Sequence, residues 1–137
     1  MKPVVQKHSL GCGVACVAFV LGKSYDEAMP LFPQGSKKAG TIGFLCREIA
    51  KALEKAGKNY EYRYIKPRVR RRIYENGTIV FIKKSKKYPA GHYLARATGK
   101  WMDPWINFGK EKDFEKARAG VRKRLPGKPI YAILSVH

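Results

Sequence analysis

Gln6-Lys7-His8-Ser9-Leu10-Gly11-Cys12-Gly13-Val14-Ala15-Cys16-Val17-Ala18-Phe19-Val20-Leu21-Gly22 is the stretch from which the rest of the chain is read. From about Cys12 to Leu21 it is apolar around its whole circumference, the pattern of a helix buried in a core, and Gly22 supplies the stop. Lys2 and Lys23 on either side loosely imitate a secretory signal. Gly11 and Gly13 interrupt the apolar run and no A-x-A cleavage site follows, so the segment is read as part of the fold. The helix opens on a cysteine. A thiol becomes nucleophilic as thiolate, and the positive end of a helix favours that form. The flanking Gly11 and Gly13 would let a substrate backbone approach closely.

Around this helix the chain has the size of one domain, 137 residues with 45% hydrophobic and 28% charged, a globular composition without repeats. The longest apolar run, Val14 to Leu21, is far short of the ~20 residues that a transmembrane helix needs. Three cysteines, Cys12, Cys16 and Cys46, cannot all pair within one chain, which suits a reducing, cytoplasmic setting better than a secreted disulfide framework. Twenty-nine Lys and Arg against 10 Asp and Glu give a net charge of +19, concentrated at 66–72, 83–87 and 110–128. Such a field attracts anionic partners: nucleic acid, acidic protein or anionic lipid. The run from Arg68 to Arg72 lacks the aromatic interleaving of a nucleic-acid module and reads as a solvated face.

Downstream, Ser24 and Glu27 form a capping box for a short second helix that Pro30 or Pro33 ends. From Thr41, the spacing of Ile42, Leu45, Cys46, Ile49 and Leu53 predicts a third helix, stopped by Gly57. Tyrosine-rich alternation predicts a strand over 59–65, and further strands follow over 78–83, 92–97 and 101–103. The last two are joined as a hairpin across Thr98-Gly99-Lys100. A charged helix is expected over about 112–124, and a buried strand over 130–136. Helices first and strands later give an α+β fold, a helical half packed on an antiparallel sheet.

Thiol chemistry also needs a base, and His92, opening a strand after Gly91, is the best placed of His8, His92 and His137. It needs a carboxylate to orient the imidazole. Asp103, on the strand paired with that of His92 at about 4.8 Å spacing, can reach it. Asn107 is the alternative orienting group. An oxyanion would be held by the Cys12 N–H and a second donor, for which Gln6 offers an amide.

These residues, Gln6-x5-Cys12-Gly13-Val14-Ala15-Cys16, then Gly91-His92-Tyr93-Leu94, then Asp103-Pro104, resemble the bacteriocin-processing, double-glycine-leader peptidases and their stand-alone relatives, family C39 of the papain-like cysteine peptidases. The resemblance runs from about Val4 to Val136. It implies a papain-like fold and a cysteine peptidase with Cys12 as nucleophile, His92 as general base and acid, Asp103 as orienting carboxylate and Gln6 as oxyanion donor. Gly11, Gly13, Gly91 and Trp105 would line the substrate cleft, and no cofactor or metal is implied. Gly11 stands where the family often has aspartate, and no exporter segment is attached. A double-glycine leader is therefore not implied as the substrate.

Other readings remain open from the residues alone. The same triad serves deamidation or amide transfer. A papain-like scaffold without activity could act as a basic binding module for nucleic acid or anionic surfaces. Zinc held by His8, Cys12, Cys16 and Cys46 is a rival arrangement. Cys16, Cys46 and Trp101 are read as core.

Overall fold

A computed structural model describes residues 2–136; His137 lies outside them. The apolar N-terminal stretch forms helix α1, Cys12–Leu21, with Cys12 to Phe19 buried. Burying a Val or Phe side chain contributes about 1.5–3 kcal/mol, so α1 anchors the core. The Ser24–Glu27 capping box forms as read from the sequence and starts α2, Tyr25–Ala28, which runs on into a 3-10 turn, Met29–Leu31.

The third predicted helix begins five residues later than expected, and a short helix not read from the sequence comes before it. Helix α3, Gly35–Thr41, precedes α4, Cys46–Lys55. Between them Gly43 takes φ +75, a left-handed conformation that no continuous helix passes through. Ile49 and Leu53 face the core as expected, whereas Ile42 and Leu45 are exposed. Their helical spacing is a coincidence of sequence across this break. The Glu48 carboxylate accepts from the Leu45 backbone N–H (2.9 Å), which fixes the start of α4 one residue later.

Six antiparallel strands follow: β1 Tyr60–Tyr64, β2 Ile79–Ile82, β3 His92–Ala97, β4 Lys100–Asp103, β5 Gly120–Arg122 and β6 Pro129–Ser135. Their order in the sheet is β1-β6-β2-β3-β4-β5, so the last strand slots between the first two. Alternation along the strands divides the core. Ile79, Ala95, Met102 and Ile133 pack toward α1 and α4, while Val80, Leu94, Trp101 and Leu134 pack on the other side with Val69 and Ile73. The architecture is α+β, with the helices preceding an antiparallel sheet.

The charged helix expected over 112–124 does not form. Asp113 caps a single 3-10 turn, Phe114–Lys116, and the chain then pairs with β4 as β5. Helix-favouring Lys, Glu and Ala are overruled here by sheet pairing and by the Asn107 side chain. That amide accepts from the Arg118 N–H (2.8 Å) and donates to the Lys116 carbonyl (3.2 Å). No helix among the described residues is long and apolar enough to cross a membrane.

Candidate active site

Cys12 is the first residue of α1, where backbone N–H groups lack intrahelical partners and carry partial positive charge. Helix α1 lies against β3, whose first residue is His92. His92 and Asp103 thus sit at one end of the β3–β4 hairpin. Ala95 pairs with Met102, and continuing that register sets Leu94 opposite Asp103. His92 therefore reaches Asp103 diagonally, two residues off direct pairing. Its Nε2–H donates to Asp103 Oδ1 at 2.6 Å. The Cys12 thiol lies close enough to the same ring to raise its pKa. With Nε2 committed to Asp103, Nδ1 is the nitrogen left for the sulfur.

Burial alone would hold the His92 imidazole neutral. Its hydrogen bond to Asp103 and its interaction with Cys12 outweigh that, and the pKa rises to about 9. Burial likewise works against ionised Asp103. It is outweighed by His92, by Arg122 and by the Trp105 N–H, which together bring its pKa down to about 2. The site is therefore built to keep a buried carboxylate charged beside an imidazolium. Cys16, one turn along α1, is wholly buried, and that burial, with Cys12 nearby, pushes its thiol well above the ordinary range. Cys46 is half-buried with its sulfur 3.7 Å from the Tyr93 hydroxyl, and burial raises it too.

Two contributors had no signal in the sequence. Arg122, from the segment expected to be a solvated helix, donates from Nε to Asp103 Oδ2 (2.7 Å) and from Nη2 to the Ile106 carbonyl (3.1 Å). Tyr88 lays its ring on that of His92, centroids 4.9 Å apart and planes 7° from parallel, and Phe108 stacks on Tyr88 at 5.5 Å. The aromatic stack fixes the plane of the imidazole; the carboxylate fixes its rotation.

The remaining candidates sit in packing roles. A Cβ on Gly11 would fall 2.0 Å from the Tyr25 hydroxyl, which shares a hydrogen bond with His8 Nδ1 (2.9 Å). Gly13 admits Ile49 of α4, and Gly91 admits the Phe81 ring. Trp105 is buried, edge-on to Phe108 at 4.7 Å. Each of the four is packed against neighbouring side chains, and the buried Trp105 Nε1 has no hydrogen-bond partner among the described residues. Gln6 is buried beside the site, but its amide Nε2 donates to the carbonyls of both His8 (3.0 Å) and Ser9 (3.2 Å). Both of its hydrogens are committed, so binding an oxyanion would require releasing one. Asn107 braces the 116–118 backbone and does not touch His92. Among the described residues, His8, Cys12, Cys16 and Cys46 do not gather into a cluster able to hold a metal.

Cys12 and His92 are only 9% and 5% exposed. Two cavities, of about 400 and 550 Å3, lie in the N-terminal half, and neither is lined by Cys12 or His92. No protein-family model matches the chain, and no curated protein matches it.

Proposed function

We propose that this chain is a papain-like cysteine peptidase of the family C39 type, with Cys12 as nucleophile, His92 as base and acid, and Asp103 as the orienting group. The observation that carries the reading is one imidazole bonded at 2.6 Å to a buried carboxylate and influenced by a thiol on the first residue of α1. A helix bearing the thiol and an antiparallel sheet bearing the other two residues also accord with a papain-like arrangement.

In this mechanism the Cys12 thiolate attacks the scissile carbonyl carbon and an S–C bond forms. The negative charge moves to the carbonyl oxygen, toward the Cys12 N–H and a Gln6 amide hydrogen freed from its carbonyl partners. His92, as imidazolium, donates its proton to the leaving nitrogen as the C–N bond breaks. Water, deprotonated by His92, then cleaves the thioester and returns the free thiol.

The test is alkylation and cleavage together. Iodoacetamide at limiting concentration should label Cys12 before Cys16 and Cys46, and Cys12→Ala should abolish turnover of a peptide library read by mass spectrometry. Equal labelling of the three thiols would refute the nucleophile assignment. Conversion of glutamine to glutamate without chain cleavage would move the same triad to side-chain amide hydrolysis.

A further inference from the structure

The sheet surface beyond α4 carries a feature independent of the thiol site. Tyr62 and Tyr64 alternate onto one side of β1, and the register sets Tyr64 opposite Tyr131 of β6. The three are 51%, 57% and 37% exposed, values unusual for aromatic rings on the core-facing side of a sheet. Tyr64 and Tyr131 meet edge to face at 5.6 Å. Phe81 of β2 lies opposite Tyr131 and continues the row toward Tyr93 (4.9 Å).

Charge is arranged around this row with one sign. Lys66 lies just past β1, Lys83 just past β2, and Lys128 just before β6, so all three border the same end of the sheet as Tyr64 and Tyr131. The Lys83 N–H donates to the Lys128 carbonyl at 2.9 Å, holding the latter two together. All three lysines are exposed, and among the described residues none takes part in an ion pair. The only acid within β1, β2 and β6 is Glu61, which alternates to the opposite side and binds Arg63 and Arg72 there. The tyrosine face therefore has cations at its margin and no carboxylate from its own strands.

We propose that this face binds single-stranded nucleic acid, with bases stacking on Tyr62, Tyr64 and Tyr131 and phosphates meeting Lys66, Lys83 and Lys128. Exposed rings beside unpaired cations suit a ligand with flat apolar faces and a regularly charged backbone. An acidic polypeptide would use the lysines and leave the rings without a function. A duplex hides its base faces and could not stack. The chain's excess of cations supplies the long-range attraction, and the tyrosines supply the local contact.

The test is fluorescence anisotropy of a labelled oligothymidylate of about 20 nucleotides, titrated with the full chain at low and moderate salt. Tyr62→Ala, Tyr64→Ala and Tyr131→Ala should each weaken binding about fivefold or more, while Tyr64→Phe, which keeps the ring, stays within about twofold. A blunt duplex of the same length should bind more weakly than the single strand. The proposal is overturned if the alanine variants bind as tightly as the parent while Lys66→Ala, Lys83→Ala and Lys128→Ala together abolish binding. Equal affinity for duplex overturns it as well. So does size-exclusion chromatography showing that the tyrosines instead join two copies of the chain, with oligonucleotide binding unaffected by their loss.

Discussion

Arg122 Nε lies 2.7 Å from Asp103 Oδ2, on the carboxylate oxygen that His92 leaves free. Asp103 is fully buried and so is held between two cationic groups from opposite sides. The arginine also donates to the Ile106 carbonyl, so one guanidinium fixes both the carboxylate and the chain just past β4. Arg122→Ala should destabilise the fold by about 2 kcal/mol in urea unfolding, because it leaves one side of a buried charge unpaired. Arg122→Lys should recover only part of this, since a point charge cannot span both acceptors. Equal stability of both variants and the parent would show that the contact contributes nothing.

Asp103→Asn should slow alkylation of Cys12 at neutral pH by about a hundredfold while leaving the chain folded. The amide removes the charge that supports the imidazolium, so the His92 pKa falls from about 9 and the thiolate loses its partner. Measuring the rate from pH 5 to 10 separates this from simple unfolding, which would expose all three thiols together.

The same pair sets a pH window for stability. The Asp103 pKa is depressed by folding to about 2, so its contribution is present above the ordinary carboxylate value of about 4 and is lost as pH falls toward 2. That of His92 is raised to about 9, so its contribution is full below about 6.5 and is lost as pH rises through 9. Urea midpoints should therefore plateau between about pH 4 and 6.5 and decline on both sides. Cys12→Ala should move the alkaline decline toward neutrality, because one of the interactions that raises the imidazole is gone. An unchanged alkaline limb in that variant would argue against contact between the two residues.

Gly11→Ala should destabilise the chain by about 1–3 kcal/mol, since the new methyl falls 2.0 Å from the Tyr25 hydroxyl. Gly11 has φ −92, so the backbone itself tolerates alanine. Adding Tyr25→Phe removes the clashing oxygen and should restore part of the loss. Failure of that double variant to recover any stability in thermal unfolding would place the cost elsewhere.

Thr98→Asn should stabilise the β3–β4 hairpin by about 0.5–1 kcal/mol in urea unfolding. The two-residue turn Thr98-Gly99 needs positive φ at both positions, and Thr98 holds φ 49 despite its branched side chain. A loss of stability would mean that the threonine side chain makes a compensating contact.

Local chemistry made part of this molecule readable. Helix α1 announces itself by unbroken apolar composition ending at a glycine, and the hairpin carrying His92 and Asp103 by its short turn and alternation. The proximity of residues 12, 92 and 103 was expected from the chemical need that thiol, imidazole and carboxylate answer together and from the resemblance of their motifs, in order and spacing, to a cysteine peptidase family. Arg122 offered no such clue. It lies in a run whose lysines, glutamate and alanines favour helix, and only pairing with β4 turns that run into a strand. Ile42 and Leu45 misled in the opposite sense, because helical spacing does not record the left-handed Gly43 between them. The packing roles of Gly11 and Gly13 were invisible for the same reason: what fills the space beside a glycine comes from elsewhere in the chain.

The place of β6 between β1 and β2 governs the order in which the sheet can close. On a ribosome the β3–β4 hairpin, with its histidine and aspartate, can zip up soon after it emerges, but β1 has no neighbour in the sheet until residues 129–135 arrive. Helix α4, which packs on β1 and β6, must wait for that last strand, whereas α1 can dock on β3 as soon as the hairpin has formed. Residues 12, 92 and 103 can therefore come together before the sheet is closed, and a nascent chain stalled before β6 would hold them beside a sheet that still lacks its β1 edge.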